Sequence, residues 1–259
     1  MLKLIYRYLC AFGGKIRADI FISGGDACRP AHYLRKFHLR TFSSPFDWMM
    51  AYKLNDIAHL LQNDGRGFFA QIKEIPQDEK YECRFIKDCQ TGMISMHDFP
   101  RDKSIDEHYP EFIDKHKRRF EKLKNEIKNA KNIVFIANRG EPMSEFKAFL
   151  EKMQNFHKAS YTLIIIRHNK QATKLKKTVR MTMGGGGGII IKYIFNDTHK
   201  NGSDGASNPD AWLGNIEIWD EIMKELKFTH KKAFVIFLER KREKIKRFYK
   251  KYIIQNAKY

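Results

Sequence analysis

The sequence has little of what would place it among metal-binding, disulfide-rich or membrane-spanning proteins. Its 259 residues include four cysteines and seven prolines, and no two cysteines form a Cys-x-x-Cys pair. Cys83 and Cys89 lack a matching pair of histidines, so we expect no zinc knuckle, no metal and no cofactor. The apolar stretch at residues 1–13 is interrupted by Lys3 and Arg7 and is too short to cross a bilayer. No secretory signal accompanies the cysteines, so we expect reduced thiols and a cytoplasmic protein.

Acidic residues are also scarce relative to basic ones. The chain has 49 Lys and Arg against 30 Asp and Glu, a formal net charge of +19. Such a protein attracts acidic partners, and an acidic or glycan-linked substrate fits this charge. We find no nucleic-acid motif, and the sequence leaves the oligomeric state open. The C-terminal stretch "FVIFLERKREKIKRFYKKYIIQNAKY" predicts a basic helix that packs with a solvated face, or alternatively makes peripheral contact with a membrane.

Apolar strand-like runs alternate with helical periods along the chain. Strands are expected at 18–23, 132–138, 161–169 and in "GIIIKYIFN", with a hairpin over 81–99 and helices at about 29–37, 46–64, 105–130, 143–156 and 216–228. Strand–helix–strand order with buried-looking strands favours an α/β fold with a mainly parallel sheet flanked by helices. We expect a single α/β domain over 1–259, with its core at about 18–228 and a basic helical extension at 229–259.

Five consecutive glycines at 184–188 predict a mobile surface loop, because glycine loses much backbone entropy when it is ordered. The run is not a P-loop, since no Gly-Lys-Ser/Thr follows it. A repeated-guanine coding tract, whose slippage would switch expression on and off, is a hypothesis that the codons of the gene would decide.

One cysteine lies where a strand hands over to a helix. In "ISGGDACRPAHYL", Cys28 follows a glycine turn and precedes Arg29 at the predicted helix start. A helix N-terminus and a neighbouring cation both favour a thiolate, so Cys28 is the best candidate nucleophile. The alternative is a small buried residue at a tight corner, since free cysteine is among the most buried residue types.

A thiol nucleophile needs a histidine to take its proton, and often a third group to orient that histidine. His97, late in the second strand of the hairpin, is the leading partner, although a hydrogen-bonded core histidine is the alternative. Asp98 would project to the opposite face of a regular strand. Asn138 and Asp197 follow predicted strands, at the sheet edge where open α/β sheets bind ligands, and either could orient His97.

The segment "SSPFDWM" combines a proline bend with two aromatic rings and one acid. By itself it predicts a structural corner in which Asp47 caps the following helix. The functional interpretation places Asp47 and Trp48 on a pocket wall beside Cys28.

Several of these stretches together resemble a known family. The stretch "ISGGDACRPAHYLRKFHLRTFSSPFDWM", then "MHDF", then "KHKRRFEKL" before "NIVFIAN", is similar to a bacterial family of papain-like cysteine peptidases treated as a domain of unknown function. The likeness spans roughly 18–170. It implies Cys28 as nucleophile and His97 as base and places no third member. The chain has Gly25 and Asp26 before the cysteine, where the family pattern is more variable. Papain-like folds use an antiparallel sheet, whereas the second half of this sequence predicts parallel units.

Two enzyme hypotheses follow. The first is a papain-like cysteine peptidase or related thiol hydrolase or acyltransferase. Its predicted catalytic residues are Cys28, His97 and Asn138, and its predicted substrate-binding residues are Gly24, Gly25, Asp26, Arg29, Asp47 and Trp48. The alternative is an anion- or sugar-recognising α/β enzyme that modifies surface polysaccharide, in which "SGGDAC" cradles the ligand and Cys28 is not catalytic. A non-catalytic binding protein that uses its basic face is the third class.

Overall fold

A computed structural model describes residues 14–77, 81–182, 188–205 and 207–256. The apolar stretch at 1–13 and the glycines at 184–187 lie outside the described residues. The strands are β1 (Ile16–Ala18), β2 (Ile20–Ser23), β3 (Met49–Met50), β4 (Ile72–Ile75), β5 (Phe85–Asp88), β6 (Ile94–Ser95), β7 (Asn132–Asn138), β8 (Ser160–His168), β9 (Lys176–Thr182), β10 (Gly188–Phe195) and β11 (Leu226–Phe228). The helices are α1 (Arg29–Lys36), α2 (Leu54–Gln62), α3 (Ile105–Asn129), α4 (Met143–Phe156), α5 (Ile216–Lys224) and α6 (His230–Asn256).

The central sheet has five strands in the order β2-β7-β8-β10-β9. The first four are parallel, and β9 pairs antiparallel with β10 at the edge. Strands β7, β8 and β10 read as apolar runs because helices cover both faces of the sheet. The strands predicted at 132–138 and 161–169 are therefore confirmed.

A second sheet and a strand pair lie outside the central sheet. Strands β3, β6, β5 and β4 form an antiparallel sheet that contains the predicted hairpin, and β1 pairs parallel with β11. A mainly parallel sheet is thus right only for the central layer, since the fold mixes parallel and antiparallel strands. The predicted helix over 46–64 is shorter than expected. It begins at Leu54, because Met49–Met50 pairs as a strand and Ala51 turns the chain with a φ of 58°.

Alternate residues of the central strands supply two apolar cores. Helices α2, α3 and α4 pack on one face, where Phe135 and Leu163 point. Helices α1 and α5 pack on the other face, where Val134 and Ile164 point. This alternation follows from the two-residue period of a strand. It fixes which loops gather at the carboxyl edge of the parallel strands.

That carboxyl edge brings together residues distant in sequence. Cys28 follows β2, Arg139 follows β7 and Asp197 follows β10. Of the basic extension predicted at 229–259, residues His230–Asn256 form α6, and the division of the extension from the core stays a prediction. Among the helices described, none combines the length and apolar character that crossing a bilayer requires.

Candidate active site

Cys28 occupies the N-cap position of α1, with Pro30 in the first turn. The turn before it is held from behind by Arg139. The Arg139 side chain is buried and donates hydrogen bonds to the carbonyl oxygens of Gly24 at 2.6 Å and Gly25 at 3.3 Å. Gly25 has no room for a side chain, since a Cβ there would lie 2.5 Å from Asn138 Oδ1 and 2.5 Å from Pro30 Cγ. The cysteine is therefore carried on a tightly fixed strand-to-helix turn.

His97 faces this cysteine across a short gap. The distance from Cys28 Sγ to His97 Nε2 is 3.7 Å. His97 follows β6 directly rather than lying within the strand, and its side chain is exposed. The ring of Trp48 meets the imidazole edge-on at 6.5 Å between centroids. Cys28 and His97, which the sequence analysis proposes as a pair, are 69 positions apart in the sequence and lie side by side in the structure.

The electrostatic environment of Cys28 differs from expectation. Burial raises the pKa of the Cys28 thiol above its ordinary 9.0, and a hydrogen bond from its own backbone only partly opposes this. The Arg29 guanidinium, expected to favour a thiolate, forms an ion pair with Asp197, so its charge is compensated. The predicted lowering of the thiol pKa is therefore wrong for this structure. Burial therefore favours the neutral thiol of Cys28 over the thiolate.

A cavity of about 720 Å³ opens over the pair. Its lining is mostly apolar and includes residues from several distant segments: Ala27, Cys28, Arg29, Trp48, Met50, Tyr81, Met96, His97, Pro209 and Trp212. Of the predicted site residues, Cys28, Arg29, Trp48 and His97 line this cavity. The other lining residues are of two kinds. Ala27, Met50 and Met96 are close in sequence to the predicted residues, whereas Tyr81, Pro209 and Trp212 are not.

Four predicted substrate-binding residues do not line the cavity. Gly24 and Gly25 are buried in the turn behind Cys28, and Asp26 is exposed on the same turn outside the lining. Asp47 is buried and binds Arg40 Nε at 2.7 Å and the Ser44 backbone N–H at 2.9 Å. Asp47 therefore fixes the corner before Trp48 and is neither a pocket wall nor the cap of the following helix.

Neither candidate orienter reaches the histidine. Over the described ranges, His97 makes no hydrogen bond with Asn138 or Asp197. Asn138 Oδ1 is buried without a hydrogen-bond partner and lies against the Gly25 turn. Asp197 binds Arg29 and accepts a hydrogen bond from Trp219 Nε1 at 3.0 Å. Both residues lie at strand ends as predicted, but they shape the turn and its surroundings.

Asp98 anchors the segment that carries His97. Its carboxylate accepts hydrogen bonds from Ser95 Oγ at 2.7 Å and Lys115 Nζ at 2.6 Å, and His116 Nε2 lies 3.8 Å away. Burial works to raise the pKa of Asp98, but these three side chains outweigh it and hold the pKa well below its usual range. Asp98 thus links the segment that carries His97 to α3, and no hydrogen bond between Asp98 and His97 is present in the described residues.

Sequence reasoning missed Arg139 and the far wall around Trp212. Arg139 follows directly after Asn138, and a charged residue at the end of a buried strand is the signal that could have found it. Nothing in "NPDAWLG" indicates proximity to Cys28. No group of three or more His, Cys, Asp or Glu within the parts of the chain that the structure covers is placed to hold a metal ion.

Two comparisons of this chain with known proteins found a match. Uncharacterized protein R408 of Acanthamoeba polyphaga mimivirus is 27% identical over 151 residues, which are 52% of this chain and 68% of the viral protein. Because this relative is viral, the expected restriction to bacteria has no support. No solved structure matches. Residues 19–171, a span that holds Cys28 and His97, match the model of one family. The chain belongs to the family described as "Putative papain-like cysteine peptidase (DUF1796)".

Proposed function

We propose that the protein is a thiol hydrolase or acyltransferase in which Cys28 is the nucleophile and His97 the general base. The 3.7 Å approach of Cys28 Sγ to His97 Nε2 at the edge of an apolar cavity carries this proposal. A histidine at hydrogen-bonding range can take the thiol proton as attack begins, even where the apo contact is loose.

The reaction proceeds through a thioester. Cys28 Sγ attacks an ester or amide carbonyl while its proton passes to His97 Nε2. The bond to the leaving group then breaks, and His97 returns that proton to the departing oxygen or nitrogen. Water, or an acceptor alcohol or amine in the transferase case, attacks the thioester next, with His97 again accepting and returning a proton to restore the thiol. For Nε2 to accept, the neutral imidazole carries its proton on Nδ1.

The turn that carries Cys28 offers a backbone donor for the developing oxyanion. Gly25 and Asp26 do not line the cavity, so their N–H groups are not placed to reach a carbonyl bound there. Cys28 itself lines the cavity at the N-cap of α1, where backbone N–H groups lack intrahelical partners. A preorganised backbone N–H beside the nucleophile is a usual means of stabilising a tetrahedral oxyanion.

The alternative of an anion- or sugar-recognising enzyme fits less well. Its proposed cradle, "SGGDAC", contains no basic residue, and the charge of the adjacent Arg29 is already paired with Asp197. The cavity lining is largely apolar, which suits neither a phosphate nor a highly hydroxylated sugar.

Trapping the acyl intermediate tests the proposal. We expect p-nitrophenyl acetate to place one acetyl group on Cys28, detected by mass spectrometry of the intact and digested protein. Cys28→Ser should abolish this acetylation, and His97→Ala should slow it by about 10²–10⁴-fold. Cys83→Ser is the control, because Cys83 is also a free, half-buried cysteine but does not line the cavity. Acetylation that persists in Cys28→Ser at the original rate would contradict the proposal.

A further inference from the structure

Large apolar side chains are left exposed beside the candidate nucleophile. Within the described residues, the exposed large apolar side chains fall in two places: Tyr81 and Trp212 at the cavity, and a group on α6. Tyr81 is 40% exposed and Trp212 is 44% exposed. Exposed apolar surface beside the candidate nucleophile indicates that this surface binds an apolar group.

Trp212 is fixed in place by α1. Its backbone carbonyl accepts a hydrogen bond from Arg29 Nε at 2.5 Å, and the neighbouring Leu213 carbonyl accepts one from the Tyr33 hydroxyl at 3.1 Å. The His32 ring meets the indole edge-on at 5.0 Å. Trp212 is therefore held in place next to Arg29, the residue that follows Cys28. Such preorganisation of a binding surface reduces the free-energy cost of binding.

The remaining lining favours an apolar ligand of variable shape. Trp48 faces the cavity, and the flexible thioethers of Met50 and Met96 adapt to irregular apolar groups. Among the described residues that line the cavity there is no carboxylate, and the cationic side chain of Arg29 is paired with Asp197. The volume of about 720 Å³ exceeds what a reacting carbonyl alone requires.

We propose that the substrate presents a long apolar acyl chain next to the scissile carbonyl, and that Trp212 selects for that chain. This inference rests on the proposed function of Cys28 and His97. Trp212 lies beyond residues 19–171, so the part of the chain outside the family match contributes to this specificity.

Turnover of p-nitrophenyl esters of increasing chain length tests this. We expect kcat/KM for the octanoate to exceed that for the acetate by at least about tenfold, since burial of each methylene strengthens binding by about fourfold. Trp212→Ala should remove most of that preference. Phe237→Ala, which also removes an exposed aromatic ring but does so on α6, should leave the preference unchanged.

The possible failures are distinguishable. Acetate turnover by Cys28 without chain-length preference, or a preference that survives in Trp212→Ala, would overturn this inference and leave the proposed function standing. Absence of acylation at Cys28 with every ester would overturn both.

The second group of exposed apolar residues lies on α6 and carries a separate inference. Phe234, Leu238 and Ile245 are 61%, 48% and 54% exposed, and at 100° per residue they share one face with Lys241. On the opposite face Ile236 is buried, and Glu239, Glu243, Lys244 and Arg247 line a cleft with Arg40 and Thr41. The two acids thus lie away from the outward apolar stripe, which carries the exposed Lys241.

We infer that this outward face of α6 docks on an anionic lipid surface. An apolar stripe with cations beside it is typical of helices that lie in the membrane interface. Charge complementarity favours acidic headgroups, since each nearby Lys or Arg adds attraction to such a surface.

Vesicle co-sedimentation tests this docking. We expect binding to phosphatidylcholine vesicles containing phosphatidylserine, little binding to pure phosphatidylcholine, and weakening with salt. The double variant Phe234→Glu with Leu238→Glu should reduce binding at least tenfold. Gln90→Glu with Gln171→Glu adds the same charge at exposed sites elsewhere and should change it little. Equal loss in both double variants, or binding to duplex DNA without binding to acidic vesicles, would overturn the inference.

Discussion

Replacing Asp197 with alanine removes the carboxylate that links the C-terminal part of the chain to Arg29, the first residue of α1. The Asp197 carboxylate is buried, forms an ion pair with Arg29, and accepts hydrogen bonds from the Asn215 backbone N–H at 2.9 Å and from Trp219 Nε1 at 3.0 Å. Alanine would leave a largely buried guanidinium and two further donors unpaired. It would also loosen the segment that holds Trp212.

The magnitude follows from burial. The Arg29 and Asp197 side chains are 18% and 3% exposed, so solvent screens the pair weakly. Removing one partner of a buried ion pair costs about 3–5 kcal/mol. With a urea dependence of about 3 kcal/mol/M, the denaturation midpoint should fall by about 1–1.7 M. Turnover of long-chain esters should fall by more than the loss of folded protein accounts for, because the segment that holds Trp212 is loosened.

The chain contains a matched control on the same helix. Lys36 and Asp220 form an ion pair at 2.6 Å, but their side chains are 39% and 26% exposed. Solvent-exposed pairs contribute about 0–1 kcal/mol, so Asp220→Ala should move the urea midpoint by no more than about 0.3 M. Equal effects of the two substitutions would refute the reasoning from burial.

Three further changes test the site. Since burial raises the pKa of the Cys28 thiol, its alkylation by iodoacetamide, measured with Cys10, Cys83 and Cys89 all replaced by serine, should still accelerate above about pH 9. A half-maximal rate below about pH 8 would contradict this. Because the pKa of Asp98 is lower in the folded protein than the usual carboxyl value of 3.8, ionised Asp98 stabilises the fold above that pH, and this stabilisation is lost as the pH falls below it. The free energy of unfolding of Asp98→Asn, measured in urea, should therefore depend less on pH between about 5 and 3 than that of the unmodified protein. Gly25→Ala should cost about 1–3 kcal/mol and most of the activity because its Cβ would meet Asn138 and Pro30, whereas Gly140→Ala, with nothing within 4 Å, should be silent in both assays.

Local patterns predicted many elements of the fold because they carry their own signals. The apolar run at 132–138 and the helical period at 143–156 match β7 and α4 residue for residue. Strands β3 and β6 have only two residues each, too few for a periodic signal, and they exist because they pair with each other. The alternating polar residues of β9 likewise become a strand only by pairing with β10.

The sequence alone determined the position of Cys28 at a strand-to-helix turn and the candidacy of His97, because both follow from local pattern and residue chemistry. Only the tertiary structure decided that their side chains meet, that Asp197 pairs with Arg29 instead of orienting His97, and that Trp212 closes the cavity. It also decided the sign of the thiol pKa shift. A helix terminus can be read from sequence, but burial and the pairing of a neighbouring charge depend on residues more than 150 positions away.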